Sequence, residues 1–208
     1  MIKNLIFDFG GVIINIDPRQ AGRTLKEMGV KDMEQLHQKI LAKGLYLDLE
    51  KGLITPSAFR KGIKELADIP LTDTQIDRAW NSIIVDLPKP RFDLIRQLKQ
   101  NYNVYLLSNT NEIHYQYFNR FAIENLGVNS LEDFFTQCFF SHRMKLRKPD
   151  QEIFLKMLEI AKINPSESLY IDDIPENVQA ARQVGLHGIV HHPDEEVSQY
   201  FVDGRIKD

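Results

Sequence analysis

One interval limits what this chain can become. The apolar run at residues 2–8 is short enough for a buried strand and stops at Gly10-Gly11. The next dependable strand, Val104 to Leu107, comes roughly a hundred residues later, and ordinary crossovers between parallel strands are far shorter. Residues 21–28, 33–42, 56–66 and 74–84 fill the gap, each placing apolar residues three and four apart. Thr55 or Ser57 and Thr72 or Asp73 suit N-caps, and Gly29, Gly44 and Gly52 break the pattern. The spacing predicts a small all-helical insert at residues 17–87. Past Pro88 and Pro90, predicted helices at 92–99, 111–124, 151–161 and 177–184 alternate with strands at 104–107, 169–171 and 188–190. Such alternation argues for an α/β domain, built from residues 1–16 and 88–208, whose parallel sheet is covered by helices on both faces.

Composition excludes several classes. A chain of 208 residues that is 43% hydrophobic and 26% charged is not disordered and can bury a core without disulfides. With 26 Lys+Arg against 29 Asp+Glu, the net charge of -3 offers nucleic acid and anionic membranes no overall attraction. The N-terminal run Leu5-Ile6-Phe7 is cut by Asp8, too short for a spanning helix or a signal peptide. Cytoplasm is the expected compartment, where one unpaired thiol, Cys138, is ordinary. The oligomeric state is left open.

In an open parallel sheet, ligands bind beyond the carboxyl ends of the strands. Four places there carry chemistry: Asp8-Phe9-Gly10-Gly11, Ser108-Asn109, Lys148-Pro149-Asp150 and Asp172-Asp173. Asp8 enters a glycine turn that lets a ligand approach the backbone, and a carboxylate there can attack phosphorus. Two like unit charges 4 Å apart repel by roughly 4 kcal/mol at an effective dielectric of 20, so the attack needs local cations. Lys148 supplies a point charge, while Asp8, Asp172 and Asp173 suit Mg²⁺, a hard ion that prefers oxygen. Ser108 and Asn109, at a helix start, add a hydroxyl, an amide and backbone N–H groups for phosphate oxygens. Singly, each piece is also an ordinary turn, cap or helix start; their order at successive strand ends makes the case.

These motifs resemble those of the haloacid dehalogenase superfamily. Leu5-Ile6-Phe7-Asp8-Phe9-Gly10-Gly11 is similar to its first motif, Leu106-Leu107-Ser108-Asn109 to its second, Arg147-Lys148-Pro149-Asp150 to its third and Tyr170-Ile171-Asp172-Asp173 to its fourth. All four stand in family order, and the helical insert occupies the place of a family cap. The resemblance implies a Rossmann-like core, Mg²⁺ dependence and hydrolysis of a small phosphorylated metabolite through an aspartyl intermediate. It makes Asp8 nucleophile and metal ligand, and the Gly10 carbonyl a ligand of the same ion. Asp172 and Asp173 become acidic ligands, Ser108 and Asn109 hold the phosphoryl group, and Lys148 bridges phosphate and nucleophile.

The chain departs from the family pattern at Gly10, where most of the phosphatases carry a second Asp as general acid and base. Such a group contributes about 10²–10⁴ in rate. The chain resembles the branch of sugar-phosphate phosphatases, glucose-1-phosphate phosphatases included, that has Gly there and an Ile-Asp pair downstream. Ile16-Asp17 matches that pair, making Asp17 the candidate substitute acid or an N-cap of the first cap helix. An aldose 1-phosphate, whose leaving group tolerates a weaker acid, is then the leading substrate. Three alternatives are a 2-haloacid dehalogenase, which would leave Asp172-Asp173 without a counter-ion, a phosphomutase, which depends more on the missing acid, and a non-catalytic phosphate-binding protein. In the cap, Tyr46, Arg60 and Trp80 are candidates to line the pocket. His114, His187, His191 and His192 stay outside the catalytic set, the last three having no cysteine partners for zinc.

Overall fold

The computed structural model describes residues 1–192 and 194–207. In chain order the elements begin with β1 (Asn4–Phe7), β2 (Asn15–Ile16), α1 (Arg19–Glu27), α2 (Met33–Ala42), α3 (Leu45–Glu50), α4 (Pro56–Leu66), α5 (Asp73–Asn81) and β3 (Ile84–Asp86). They continue with α6 (Lys89–Leu98), β4 (Asn103–Ser108), α7 (Glu112–Asn125), β5 (Gln137–Phe140), α8 (Ser141–Met144) and α9 (Gln151–Ala161). The last are β6 (Ser168–Asp172), α10 (Pro175–Gln183), β7 (His187–Val190), β8 (Phe201–Val202) and β9 (Arg205–Ile206).

Alternation along the strands divides the core. In β1, Leu5 and Phe7 point to one hydrophobic cluster and Ile6 to the other; Val104 and Leu106 oppose Tyr105 and Leu107 in β4, and Leu169 and Ile171 oppose Tyr170 in β6. Phe92, Ile95 and Leu98 of α6 and Phe118 and Ala122 of α7 cover the first face. Ile153, Phe154 and Met157 of α9 and Ala180 and Ala181 of α10 cover the second. The sheet is therefore parallel and sandwiched, in the order β5-β4-β1-β6-β7. β1 lies between β4 and β6, so the residues that follow these three strands converge at the point where the strand order reverses, the natural crevice of such sheets.

Helices α1 to α5 interrupt the chain between β2 and β3, which pair antiparallel where it leaves and returns. These helices enclose a cluster of their own, with Phe59, Leu25, Leu36, Leu49 and Ile76 at its centre. Thr55 and Thr72 cap α4 and α5, accepting from the Ala58 and Gln75 N–H groups. The expected spans of α2, α4 and α9 agree with the structure to the residue, whereas residues 82–84 leave α5, because Ile84 pairs with Ile16 in the hairpin. The sequence pattern missed α3 and the edge strand β5, which are short, and β2 and the C-terminal β8–β9 pair, which are two-residue strands. No described helix is long and apolar enough to cross a membrane.

The turn after α3 holds the insert against the sheet domain. Gly52 has φ +59° there, and a Cβ on it would stand 2.1 Å from the His142 carbonyl oxygen. Gly52→Ala therefore combines a strained φ with a backbone clash, at a cost of about 1–3 kcal/mol. We expect its thermal midpoint to fall by about 2–4 °C for each kcal/mol lost; an unchanged midpoint in a calorimetric scan would show that the two units are not seated through this turn.

Candidate active site

Beyond β1, β4 and β6 lies a buried cluster of charge. The Lys148 ammonium, 1% exposed, sits 2.6 Å from Asp8 Oδ1 and 2.7 Å from Asp172 Oδ2. Carboxylate oxygens of Asp8, Asp172 and Asp173 lie within 4.8 Å of one another, the one such acidic group among the described residues. Burial pushes the Asp8 carboxyl up to about 7, with the Asp172 charge adding to it and Lys148 opposing it. Burial also lifts Asp173 to about 6, helped by Asp172. Burial works against ionised Asp172 too, but Lys148 and the hydrogen bonds around its carboxylate prevail and hold it low. For Lys148, the two carboxylates outweigh burial and keep the ammonium charged. Three carboxylates facing one ammonium leave a negative surplus, and a hard divalent cation with oxygen ligands such as Mg²⁺ fits that donor set.

Neighbours fix each member. The Asp8 N–H donates to the Ile171 carbonyl (2.8 Å), tying the end of β1 to β6. Asp172 accepts from the Ile174 N–H at 2.8 Å, through its two carboxylate oxygens from Asn177 Nδ2 at 3.1 and 3.0 Å, and from the Tyr170 hydroxyl. Gly11, at φ +79°, lets Asp173 come close: a Cβ there would meet its Oδ2 at 2.3 Å. Asn109 serves differently from the expectation. Its amide donates to the Lys148 carbonyl and accepts from the Lys148 N–H, both at 2.9 Å, so its side chain positions the lysine and only its backbone remains for a phosphoryl oxygen. The backbone N–H groups expected at the start of α7 are also largely engaged: that of Thr110 donates to Ser141 Oγ, and those of Ile113 and His114 to the capping Asn111. Buried Ser108, at the end of β4, has no side-chain hydrogen bond among the described residues.

The haloacid dehalogenase-like hydrolase family matches residues 2–185. The chain belongs to this family. A D-ribitol-5-phosphate phosphatase of Bacteroides thetaiotaomicron is 32% identical to it over 89% of this chain and 90% of its own length. A phosphorylated carbohydrates phosphatase of Thermotoga maritima is 26% identical over 91% of this chain and 86% of its own. Among solved structures, a haloacid dehalogenase family enzyme from Bacteroides thetaiotaomicron in complex with magnesium and inorganic phosphate superposes with a TM-score of 0.87. It is 38% identical, covering 97% of this chain and 100% of that one.

Two features set this family member's leaving-group side. At Gly10, a Cβ would meet Ile16 Cδ1, the end of a flexible side chain, at 2.9 Å, so a second Asp would require the isoleucine to shift. Asp17 lies elsewhere. Its carboxylate accepts from Arg19 Nε at 2.8 Å and from the Arg19 N–H at 3.1 Å, and Arg23 stands 3.6 Å away. Chiefly through the Arg19 side chain, its carboxyl is lowered, the reverse of what a proton donor needs. In this structure the Asp17 carboxylate is engaged by Arg19 and Arg23 of α1.

A cavity of about 670 Å³ adjoins the site between insert and sheet domain, reaching it at Ile16 and Asn109. Tyr46, Trp80 and His114 line it, while Arg60 is paired with Asp77 at 2.7 Å away from it. His114 is buried, with Nδ1 3.0 Å from Asn81 Oδ1, and burial pushes its imidazole down to about 3. Glu50 lines the cavity as well. Buried at the end of α3, it accepts from Arg147 Nε at 2.7 Å and from the Tyr46 hydroxyl at 3.0 Å.

The raised carboxyls give a signed expectation. Below pH 6, Asp173 and Asp8 hold protons that a cation must displace. Apparent Mg²⁺ affinity should therefore rise by up to about tenfold per pH unit between pH 5 and 6 for each proton displaced, and level off above pH 7. Folded Asp8 binds a proton more tightly than the unfolded chain does, so cation-free stability should fall as pH climbs from 3.8 to about 7. Calorimetric titration across this range checks both, and a pH-independent affinity would remove the trio as the ligand set.

Proposed function

We propose that this chain is a Mg²⁺-dependent phosphomonoesterase that hydrolyses a small phosphorylated metabolite through an aspartyl-phosphate. The single observation behind this is the buried Lys148 ammonium bridging Asp8 and Asp172 beside Asp173. Asp8, Asp172, Asp173 and the Gly10 carbonyl would hold the ion, which when bound neutralises phosphoryl oxygens. An oxygen of ionised Asp8 attacks phosphorus as the ester P–O bond breaks, and the organic alkoxide leaves, taking a proton from solvent. Lys148 offsets the charge on the phosphoryl oxygens, with the Ser108 hydroxyl and the Asn109 backbone N–H beside it. Water then attacks phosphorus, the bond to Asp8 breaks, and inorganic phosphate departs with the carboxylate restored.

The helical insert acts as a cap that closes over this site and screens it from bulk water. The relatives named for ribitol 5-phosphate and for phosphorylated carbohydrates support a phosphorylated small molecule as the substrate. An aldose 1-phosphate, suggested by the sequence, enters the substrate panel beside D-ribitol 5-phosphate. With Gly10 where most of the phosphatases carry a second Asp, the rate depends strongly on the leaving group. The cytoplasm is the proposed setting.

Phosphate release, measured with Mg²⁺ and with a chelator, should require the metal and fall as the leaving group becomes more basic. Asp8→Asn should abolish turnover, and Asp17→Asn should leave the rate within about twofold, since an exposed pair contributes little. Hydrolysis retained in Asp8→Asn would sink the covalent route. Halide release from a 2-haloacid without metal would replace it with the dehalogenase, and phosphate binding with no release from any ester would leave a binding protein.

A further inference from the structure

The cavity beside the phosphoryl site is walled by hydrocarbon. Ile16, Ala21, Leu25, Met33, Ile40 and Ile83 line it, and Ile16 runs from this wall to Gly10. Most of its polar side chains are at the surface or engaged, while Trp80 Nε1 is buried without a hydrogen-bond partner among the described residues. Arg19, Glu34 and His37 are exposed at the rim. Inside, Glu50 is taken by Arg147 and Tyr46, the Asn109 amide by Lys148, Asn111 Oδ1 by the start of α7, and His114 Nδ1 by Asn81. A polyol enclosed here would give up water at each hydroxyl with few free partners in return, whereas methylene groups gain from burial.

We infer that the cavity receives an apolar organic group, so that the substrate class is the phosphomonoester of a largely hydrocarbon alcohol. This rests on the phosphomonoesterase chemistry proposed above only for the phosphoryl end; what fills the cavity can be tested without turnover. The volume suits such a group, since ligand cavities of roughly 300–1,000 Å³ hold drug-sized molecules, and a phosphoryl group at Lys148 leaves the hydrocarbon to extend past Ile16 toward Met33 and Ile40.

The test uses n-alkyl phosphonates, from methyl to octyl, which carry the phosphoryl anchor but no hydrolysable ester. With the full-length protein and Mg²⁺, calorimetry should show affinity rising roughly fourfold per methylene until the cavity is filled. Met33→Gln and Leu41→Gln, on the partly exposed part of the wall, should each reduce the octyl-to-methyl affinity ratio several-fold. Turnover should follow: hexyl phosphate should exceed D-ribitol 5-phosphate in kcat/KM, the difference residing mainly in KM. Affinity independent of chain length, or a ratio untouched in both variants, overturns the inference. So does a lower KM for the polyol phosphate, which would leave the phosphatase itself standing. Chain-length-dependent binding with no phosphate released from any ester would do the opposite, upholding the apolar cavity while the phosphomonoesterase fails.

Discussion

Everything in the site leans on the ammonium of Lys148. Burying a charge costs several kcal/mol unless partners replace its water, and here Asp8 and Asp172 do so from two strands of one sheet. The lysine reaches them because Asn109 grips its backbone at both N–H and carbonyl, so the end of β4 sets the position of a loop that β4 does not contain. Asp172 stays ionised through Lys148, Ile174, Asn177 and Tyr170, while Asp8 has fewer partners and carries the raised carboxyl. The arrangement separates two carboxyls of the same kind: one is fixed as an anion and the other remains reactive.

A second set of contacts ties the insert to that arrangement. Ser141 Oγ accepts from the Thr110 N–H and lies 2.7 Å from the Glu50 carbonyl, and Glu50 reaches Arg147, the neighbour of Lys148. The end of α3 thus touches both loops that place the lysine. The polar chemistry is gathered at the strand ends, the apolar wall comes largely from the helices, and the cavity lies between.

Much of this was legible in the sequence because the signals were periodic or local. Short apolar runs in β1, β4 and β6, three-and-four spacing in α2, α4 and α9, and acidic or basic residues just past apolar runs each have a direct physical cause. What escaped was decided at a distance. Residues 82–84 continue a helical pattern, yet Ile84 joins a strand because Ile16 is there to pair with it. Asn109 looks like a phosphate ligand, but its amide is claimed by a backbone 39 positions away. Asp17 sits at a spacing that suits an acid, and two arginines on the first turns of α1 hold it as an anion.

Ile16 joins two properties that are usually separable. The same side chain stands against Gly10 and forms part of the cavity wall. An aspartate arriving at position 10 would require the end of the isoleucine side chain to move. A change at position 10 therefore reaches the cavity wall through residue 16, so leaving-group chemistry and substrate fit are not fully independent traits.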